Sequence, residues 1–103
     1  MEIETLQHDV ESVSQRYAAS NGIDRTDDWL MLKLHEEVGE LTQAYLARSG
    51  QARDKGRTPE GVDSDFRAEL ADVLGQVLLL AERFDVDVAA EVERKWLARR
   101  TSQ

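Results

Sequence analysis

The chain has 103 residues, a formal net charge of -8 and no cysteine. Its length predicts one domain over residues 1–103, and the missing cysteines exclude a disulfide framework, a zinc–thiolate site and a cysteine nucleophile. The negative charge argues against a nucleic-acid partner, which would need a basic patch, and it favours divalent cations nearby.

No segment of the chain has the pattern of a targeting or membrane sequence. The acidic N-terminus, Met1–Glu4, lacks the apolar core of a signal peptide. No apolar run approaches the roughly 20 residues that cross a bilayer. We therefore expect a cytoplasmic protein without a membrane partner.

Apolar residues at alternating steps of three and four predict a first helix. They are Ile3, Leu6, Val10, Val13 and Tyr17. Asn21-Gly22 is a typical signal for the end of a helix. We interpret the segment as a structural helix; Gln7 and His8 are the side chains on it that could meet a ligand.

The second predicted helix covers about residues 28–48 and carries an acidic stripe beside an apolar one. At about 100° per residue, Glu36, Glu37 and Glu40 share one side of this helix. The apolar stripe consists of Leu34, Val38, Leu41 and Tyr45. Lys33, four residues before Glu37, offsets the acids within the helix. Because carboxylates at the edge of a buried surface are costly without a positive partner, the pattern predicts a cation here.

A loop is predicted at residues 49–63. It contains three glycines, the only proline of the chain and a cluster of cations, Arg53, Lys55 and Arg57. This composition is typical of a flexible surface connection, and the length exceeds that of most helix–helix connections. The cations could close over phosphates; the alternative is a solvated basic loop.

The third predicted helix begins at Asp63 or Ser64 and continues to about Phe84. Apolar residues cover most of its circumference, which predicts the most buried helix of the protein. They are Leu70, Val73, Leu74, Val77, Leu78 and Ala81. Glu69 and Asp72 interrupt this apolar surface.

Glu69 and Asp72 have the same i, i+3 spacing as Glu37 and Glu40 on the second helix. Two acidic pairs at the edges of two buried helices predict one shared cation site. Hard oxygen ligands of this kind suit Mg²⁺ or Mn²⁺.

A fourth helix is predicted after Asp87, which is placed to cap it. Val88, Val92 and Trp96 form its apolar stripe. Lys95 and Arg99 share a neighbouring stripe, where cations also complement the helix dipole.

The order Glu36-Glu37-x-x-Glu40, then Glu69-x-x-Asp72 after a long loop, resembles the E-E-x-x-E … E-x-x-D signature of the MazG-like all-α NTP pyrophosphohydrolases. The resemblance covers roughly residues 29–99, and the long loop is most similar to the single-domain integron-type and dCTP pyrophosphatase-like members. It implies an all-α, four-helix MazG-like bundle. It also implies cleavage of NTP or dNTP between the α and β phosphates, giving a nucleoside monophosphate and pyrophosphate, in nucleotide-pool house-cleaning.

The resemblance also implies roles for individual residues. Glu37, Glu40, Glu69 and Asp72 are the expected metal ligands, and two or more Mg²⁺ ions would balance four acids. Glu36 is then left to support the site or to act as the base that orients water.

Four further residues are predicted to bind the substrate. Trp29 would stack on the base, although a tryptophan at the start of a helix is first a large apolar group to bury. Lys95, with Arg99 or Lys33, would contact the phosphates. The family often has an Asn between the two C-terminal cations, where this chain has Trp96-Leu97-Ala98.

The wide apolar surface of the third helix predicts a homodimer or a dimer of dimers. Two alternatives stay open for the function. One is a variant of the superfamily that acts on dUTP or phosphoribosyl-ATP. The other is a non-catalytic helical dimer or metal-binding interaction module.

Overall fold

The computed structural model describes residues 1–101 of the chain. Its elements are four α-helices and a 3₁₀-helix, and no strand occurs within these residues, which confirms the all-α class. The helices are α1 (Ile3–Asn21), α2 (Asp27–Arg48), α3 (Pro59–Arg83), α4 (Val88–Lys95) and the 3₁₀-helix Leu97–Thr101. In this part of the chain, no helix has both the length and the hydrophobicity needed to cross a membrane.

The chain forms two compact units. The central unit is the continuous stretch Thr26–Val77, and the terminal unit combines Met1–Arg25 with the chain from Leu78 onward. The expectation of one domain over residues 1–103 stays a prediction, and so does the assembly into a dimer or tetramer.

In the terminal unit, polar contacts join α1 to the end of α3. The Gln7 side-chain amide donates to the Glu82 carboxylate at 2.8 Å, and the His8 ring lies 3.6 Å from the same carboxylate. Glu11 pairs with Arg25 at 2.6 Å. The C-terminal signal of α1 was predicted correctly, because Gly22 has a φ of 64° and its N–H bonds back to Ala18.

In the central unit, α2 and α3 contact one another in antiparallel order. Near the loop, Arg48 of α2 pairs with Asp63 of α3 at 2.7 Å. One turn further in, the rings of Tyr45 and Phe66 lie 6.3 Å apart. Since the middle of α2 then faces the middle of α3, the acidic residues of the two helices meet, as the predicted shared cation site requires.

The third helix begins at Pro59, earlier than the predicted Asp63 or Ser64. The Thr58 hydroxyl accepts the Gly61 N–H at 3.0 Å, and the Thr58 carbonyl accepts the Val62 N–H. Threonine as the cap and proline in the first helical position is a favourable helix start. The proline was therefore wrongly interpreted as part of the loop, and the connection after α2 covers residues 49–58 rather than 49–63.

A tight turn at Asp54–Arg57 shapes this shorter loop. The Arg57 N–H donates to the Asp54 carbonyl at 3.0 Å. Lys55 has a φ of 55° and Gly56 a φ of 82°. Positive φ at both central residues defines a type I′ turn, in which a lysine is uncommon.

The prediction that α3 is the most buried helix holds for its ends and is wrong for its middle. Four of the six buried apolar residues in the described chain belong to α3: Val62, Leu78, Leu79 and Ala81. Leu70 and Leu74, however, are 47% and 43% exposed. Part of the apolar surface of this helix is therefore exposed.

The fourth helix differs from its predicted course after Lys95. Asp87 caps it as predicted, by accepting the Ala90 N–H at 3.0 Å. The chain then tightens into the 3₁₀-helix, and the Arg99 N–H bonds the carbonyl of Trp96, three residues back. Lys95 therefore ends the α-helix and Arg99 belongs to the 3₁₀-helix, so the two cations are not on one continuous α-helix as predicted. Trp96, expected in the apolar stripe, is 66% exposed.

Candidate metal centre

Three carboxylates of the central unit meet where α2 faces α3. One oxygen each of Glu37, Glu40 and Glu69 lies within 4.8 Å of the other two. The i, i+3 spacing brings the first two together on α2, and the antiparallel contact of the helices adds the third. The cluster therefore depends both on the spacing of Glu37 and Glu40 along α2 and on the contact of α2 with α3.

Two oxygens of this cluster are buried and have no hydrogen-bond partner among the described residues. They are Oε2 of Glu37 and Oε2 of Glu69. A buried acceptor without a partner loses its hydration and gains nothing in return, unless a positive group supplies the missing contact. Hard carboxylate oxygens in this state fit a divalent cation such as Mg²⁺.

The electrostatics of the cluster agree with this fit. Burial, followed by the charges of Glu40 and Asp72, raises the pKa of Glu37 to about 7. Burial and the charge of Asp72 also raise the pKa of Glu69. Below about pH 7 Glu37 therefore retains a proton, which a bound cation would displace.

Asp72 lies beside the cluster without belonging to the closest group of three. Its charge acts on both Glu37 and Glu69, and it follows Glu69 by one turn of α3. The structure thus brings the four predicted ligands together in one region of the central unit.

Glu36, in contrast, lies apart from the three carboxylates. Its side chain is 54% exposed and pairs with Lys33 at 3.1 Å. The sequence predicts one stripe of three acids offset by Lys33. The lysine does pair with one of the three, Glu36, but Glu36 is not part of the group formed by Glu37, Glu40 and Glu69.

The other predicted substrate-binding residues lie in different units. Trp29 is half-buried in the first turn of α2, directly after the Thr26 cap that accepts its N–H at 3.0 Å. Lys95 and Arg99 are exposed and belong to the terminal unit. Their contacts with a substrate stay predictions.

One polar group near the acids was missed in the sequence. The side-chain oxygen Oε1 of Gln76 is buried and has no hydrogen-bond partner among the described residues. Gln76 follows Asp72 by four residues on α3, so the i, i+4 rule was the signal that could have found it.

A cleft of about 700 Å³ opens beside the cluster within the central unit. Glu40 and Glu69 line it together with the loop cations Arg53, Lys55 and Arg57. The cleft is therefore lined by both acidic and basic side chains.

Comparison with known families gives one result. The model of the MazG nucleotide pyrophosphohydrolase domain matches residues 25–101, which include the four predicted metal ligands and Glu36. A search of curated proteins finds no significant match.

Proposed function

The chain belongs to the MazG nucleotide pyrophosphohydrolase family, and from this we propose that it is a Mg²⁺-dependent nucleoside triphosphate pyrophosphohydrolase. It would cleave NTP or dNTP between the α and β phosphates and release a nucleoside monophosphate and pyrophosphate. The observation that carries the proposal is the cluster of Glu37, Glu40 and Glu69, in which two buried oxygens lack a partner. Enzymes of this family typically depend on a divalent metal.

Glu37, Glu40, Glu69 and Asp72 would hold the metal. When bound, a divalent cation supplies positive charge against the phosphate oxygens and makes a nearby water molecule more acidic. The carboxylates themselves set where that charge sits, because they are fixed on two packed helices rather than on a loop.

The remaining polar groups would position the substrate. Lys33 lies one helical turn before Glu37 on α2, and its ammonium group pairs with Glu36 at 3.1 Å. This pairing favours a positioning role for Glu36 over the role of base. Lys95 and Arg99 are proposed as further phosphate contacts, and Trp29 as the stacking partner of the base.

We further propose that the enzyme is a homodimer. In the central unit, Val38, Tyr45, Leu70 and Leu74 are each more than 40% exposed. Large exposed apolar groups on two adjacent helices are typical of a surface that a partner covers. Packing against a second copy of the chain would bury these apolar side chains, which a single copy leaves exposed.

The proposal is tested by measuring pyrophosphate release with Mg²⁺ from a panel of canonical, deoxy and modified nucleoside triphosphates. Asp72→Ala should lower the rate at least about 100-fold while the fold is retained. Asp9→Ala removes an exposed acid of α1 and is the matched control. Wild-type turnover in Asp72→Ala would refute the assigned site.

If the wild-type protein released no pyrophosphate from any nucleotide of the panel, the proposed reaction would be refuted. The next substrates to measure would then be dUDP and phosphoribosyl-ATP. If these also fail in a folded, metal-binding protein, the chain is a binding module.

A further inference from the structure

The cleft beside the acidic cluster has a second wall that the metal chemistry does not use. It is formed by the loop between α2 and α3, which contributes Arg53, Lys55 and Arg57. All of its lining residues belong to the central unit. Its volume of about 700 Å³ is in the range of small-molecule sites.

The three loop cations differ in whether the protein already neutralises them. Arg57 donates twice to the carboxylate of Asp65, at 2.8 and 3.1 Å, and also to the carbonyl of Gly61. Arg53 and Lys55 make no hydrogen bond or ion pair within residues 1–101. The same cleft that is lined by Glu40 and Glu69 therefore also contains two positive charges that no hydrogen bond or ion pair of the described chain neutralises.

The backbone of the loop keeps Lys55 in a specific position. The type I′ turn at Asp54–Arg57 holds it at a φ of 55°, a conformation that costs a non-glycine residue about 1 kcal/mol. The side chain of Asp54 strengthens the turn by accepting the Gly56 N–H at 3.0 Å. This arrangement presents the lysine on a short, defined turn.

The residues that line the cleft suit the phosphates of a nucleotide and not its base. Among the described residues that line it, none is aromatic, so the cleft has no surface on which a base would stack. Cations without a partner suit phosphate oxygens. A chain of phosphates also carries enough negative charge to contact both a metal at the carboxylates and a second group of cations.

We propose that this cleft binds the terminal phosphates of the nucleotide, with Arg53 and Lys55 contacting the pyrophosphate that leaves. The inference rests on the proposed function and adds the part of the substrate that the loop recognises. When the oxygen of a water molecule bonds to the α-phosphorus and the bond from that phosphorus to the bridging oxygen breaks, the proton that the water loses passes to solvent. The electrons of the broken bond pass to the pyrophosphate. The two cations stabilise this added charge, and they also make the site prefer triphosphates to shorter chains.

The experiment compares Arg53→Gln, Lys55→Gln and the double variant with the wild-type protein. Arg16→Gln is the matched control, since it also removes one positive charge, from an exposed position on α1 that does not line the cleft. Inhibition by pyrophosphate and the KM of the best triphosphate are measured in each protein. Calorimetry with Mg²⁺ and pyrophosphate measures binding without turnover.

Each single variant should weaken pyrophosphate binding and raise the KM about tenfold, and the double variant should do so more strongly. Arg16→Gln should change neither quantity. Circular dichroism should show unchanged helix content, because both loop side chains are exposed.

The outcomes separate the two proposals. If the wild-type protein releases pyrophosphate and the double variant binds it equally well, the assignment of the cleft is wrong and the proposed function stands. If the wild-type protein hydrolyses no nucleotide and does not bind Mg²⁺ and pyrophosphate, both are wrong. Equal weakening in Arg16→Gln would show a general effect of charge and would also overturn the assignment.

Discussion

Replacing Glu37 by glutamine should stabilise the metal-free protein at pH 8. Burial and the neighbouring acids raise the pKa of Glu37 from its ordinary value of 4.5 to about 7, so its ionised form is disfavoured in the folded state. This shift corresponds to at most about 3–4 kcal/mol. Because solvent screens a partly exposed carboxylate, we expect a gain of about 1–2 kcal/mol in the free energy of unfolding.

The gain should depend on pH in a defined direction. Between pH 4.5 and 7 the folded wild-type protein retains a proton that the unfolded chain has lost, so its stability falls as the pH rises through this window. Glu37→Gln has no carboxyl group at this position, so its stability does not fall for this reason. The difference between the two proteins should therefore be small near pH 4.5 and fully present at pH 8.

Thermal unfolding followed by circular dichroism measures this effect. For a domain of this size, we expect the Tm of Glu37→Gln at pH 8 to rise by about 5–10 °C without metal. Mg²⁺ should raise the Tm of the wild-type protein, because it binds the folded state. It should raise the Tm of Glu37→Gln much less.

Glu36→Gln is the matched control for this experiment. It removes the adjacent carboxylate, which is exposed and paired with Lys33, so the Tm should change little and the response to Mg²⁺ should persist. The reasoning is refuted if Glu37→Gln lowers the metal-free Tm at pH 8, or if Mg²⁺ stabilises that variant as much as the wild-type protein.

Three further predictions concern other parts of the molecule. Glu11→Gln breaks the half-buried pair with Arg25 and should lower the free energy of unfolding by about 2 kcal/mol at pH 7. Since Arg25 holds the pKa of Glu11 below 4.5, this difference from the wild-type protein should disappear as the pH falls through the lowered pKa. A difference in stability that stays constant during acid titration would contradict this prediction. Thr58→Ala removes the cap of α3 and should cost about 1 kcal/mol in denaturant unfolding, with Thr58→Ser as the control that keeps the hydroxyl. Leu74→Glu should convert the proposed dimer into monomers in sedimentation experiments, and a wild-type protein that already sediments as a monomer at micromolar concentration would contradict the dimer.

The parts of the structure that follow from local spacing could be predicted from the sequence. Apolar periodicity and the caps at Gly22 and Asp87 located the helices closely, since these signals act over a few residues. The two acidic pairs were also visible, because i, i+3 neighbours share a helix face in any context. The start of α3 was missed because Pro59 is equally typical of a turn and of a first helical position.

What depends on long-range packing could not be predicted. The pattern along α3 does not show that Leu74 is left exposed, because exposure depends on how much of the helix the other elements cover. Likewise, the cations Arg53 and Lys55 were recognised as a basic cluster, but their place in the same cleft as Glu69 required the folded structure. For Gln76, the i, i+4 spacing from Asp72 is visible in the sequence, but the burial of its side-chain oxygen without a partner required the folded structure.

The division of the chain into a continuous central unit and a terminal unit has a consequence for how the protein folds. In the central unit, the pair of Arg48 and Asp63 closes a loop of only 15 residues. In the terminal unit, the bond between Gln7 and Glu82 spans 75 residues. Closing the longer loop costs about 1 kcal/mol more in chain entropy, so local contacts form first. During synthesis, the hairpin of α2 and α3 that carries the carboxylates can therefore form before the chain from Leu78 onward, which contacts α1, is complete.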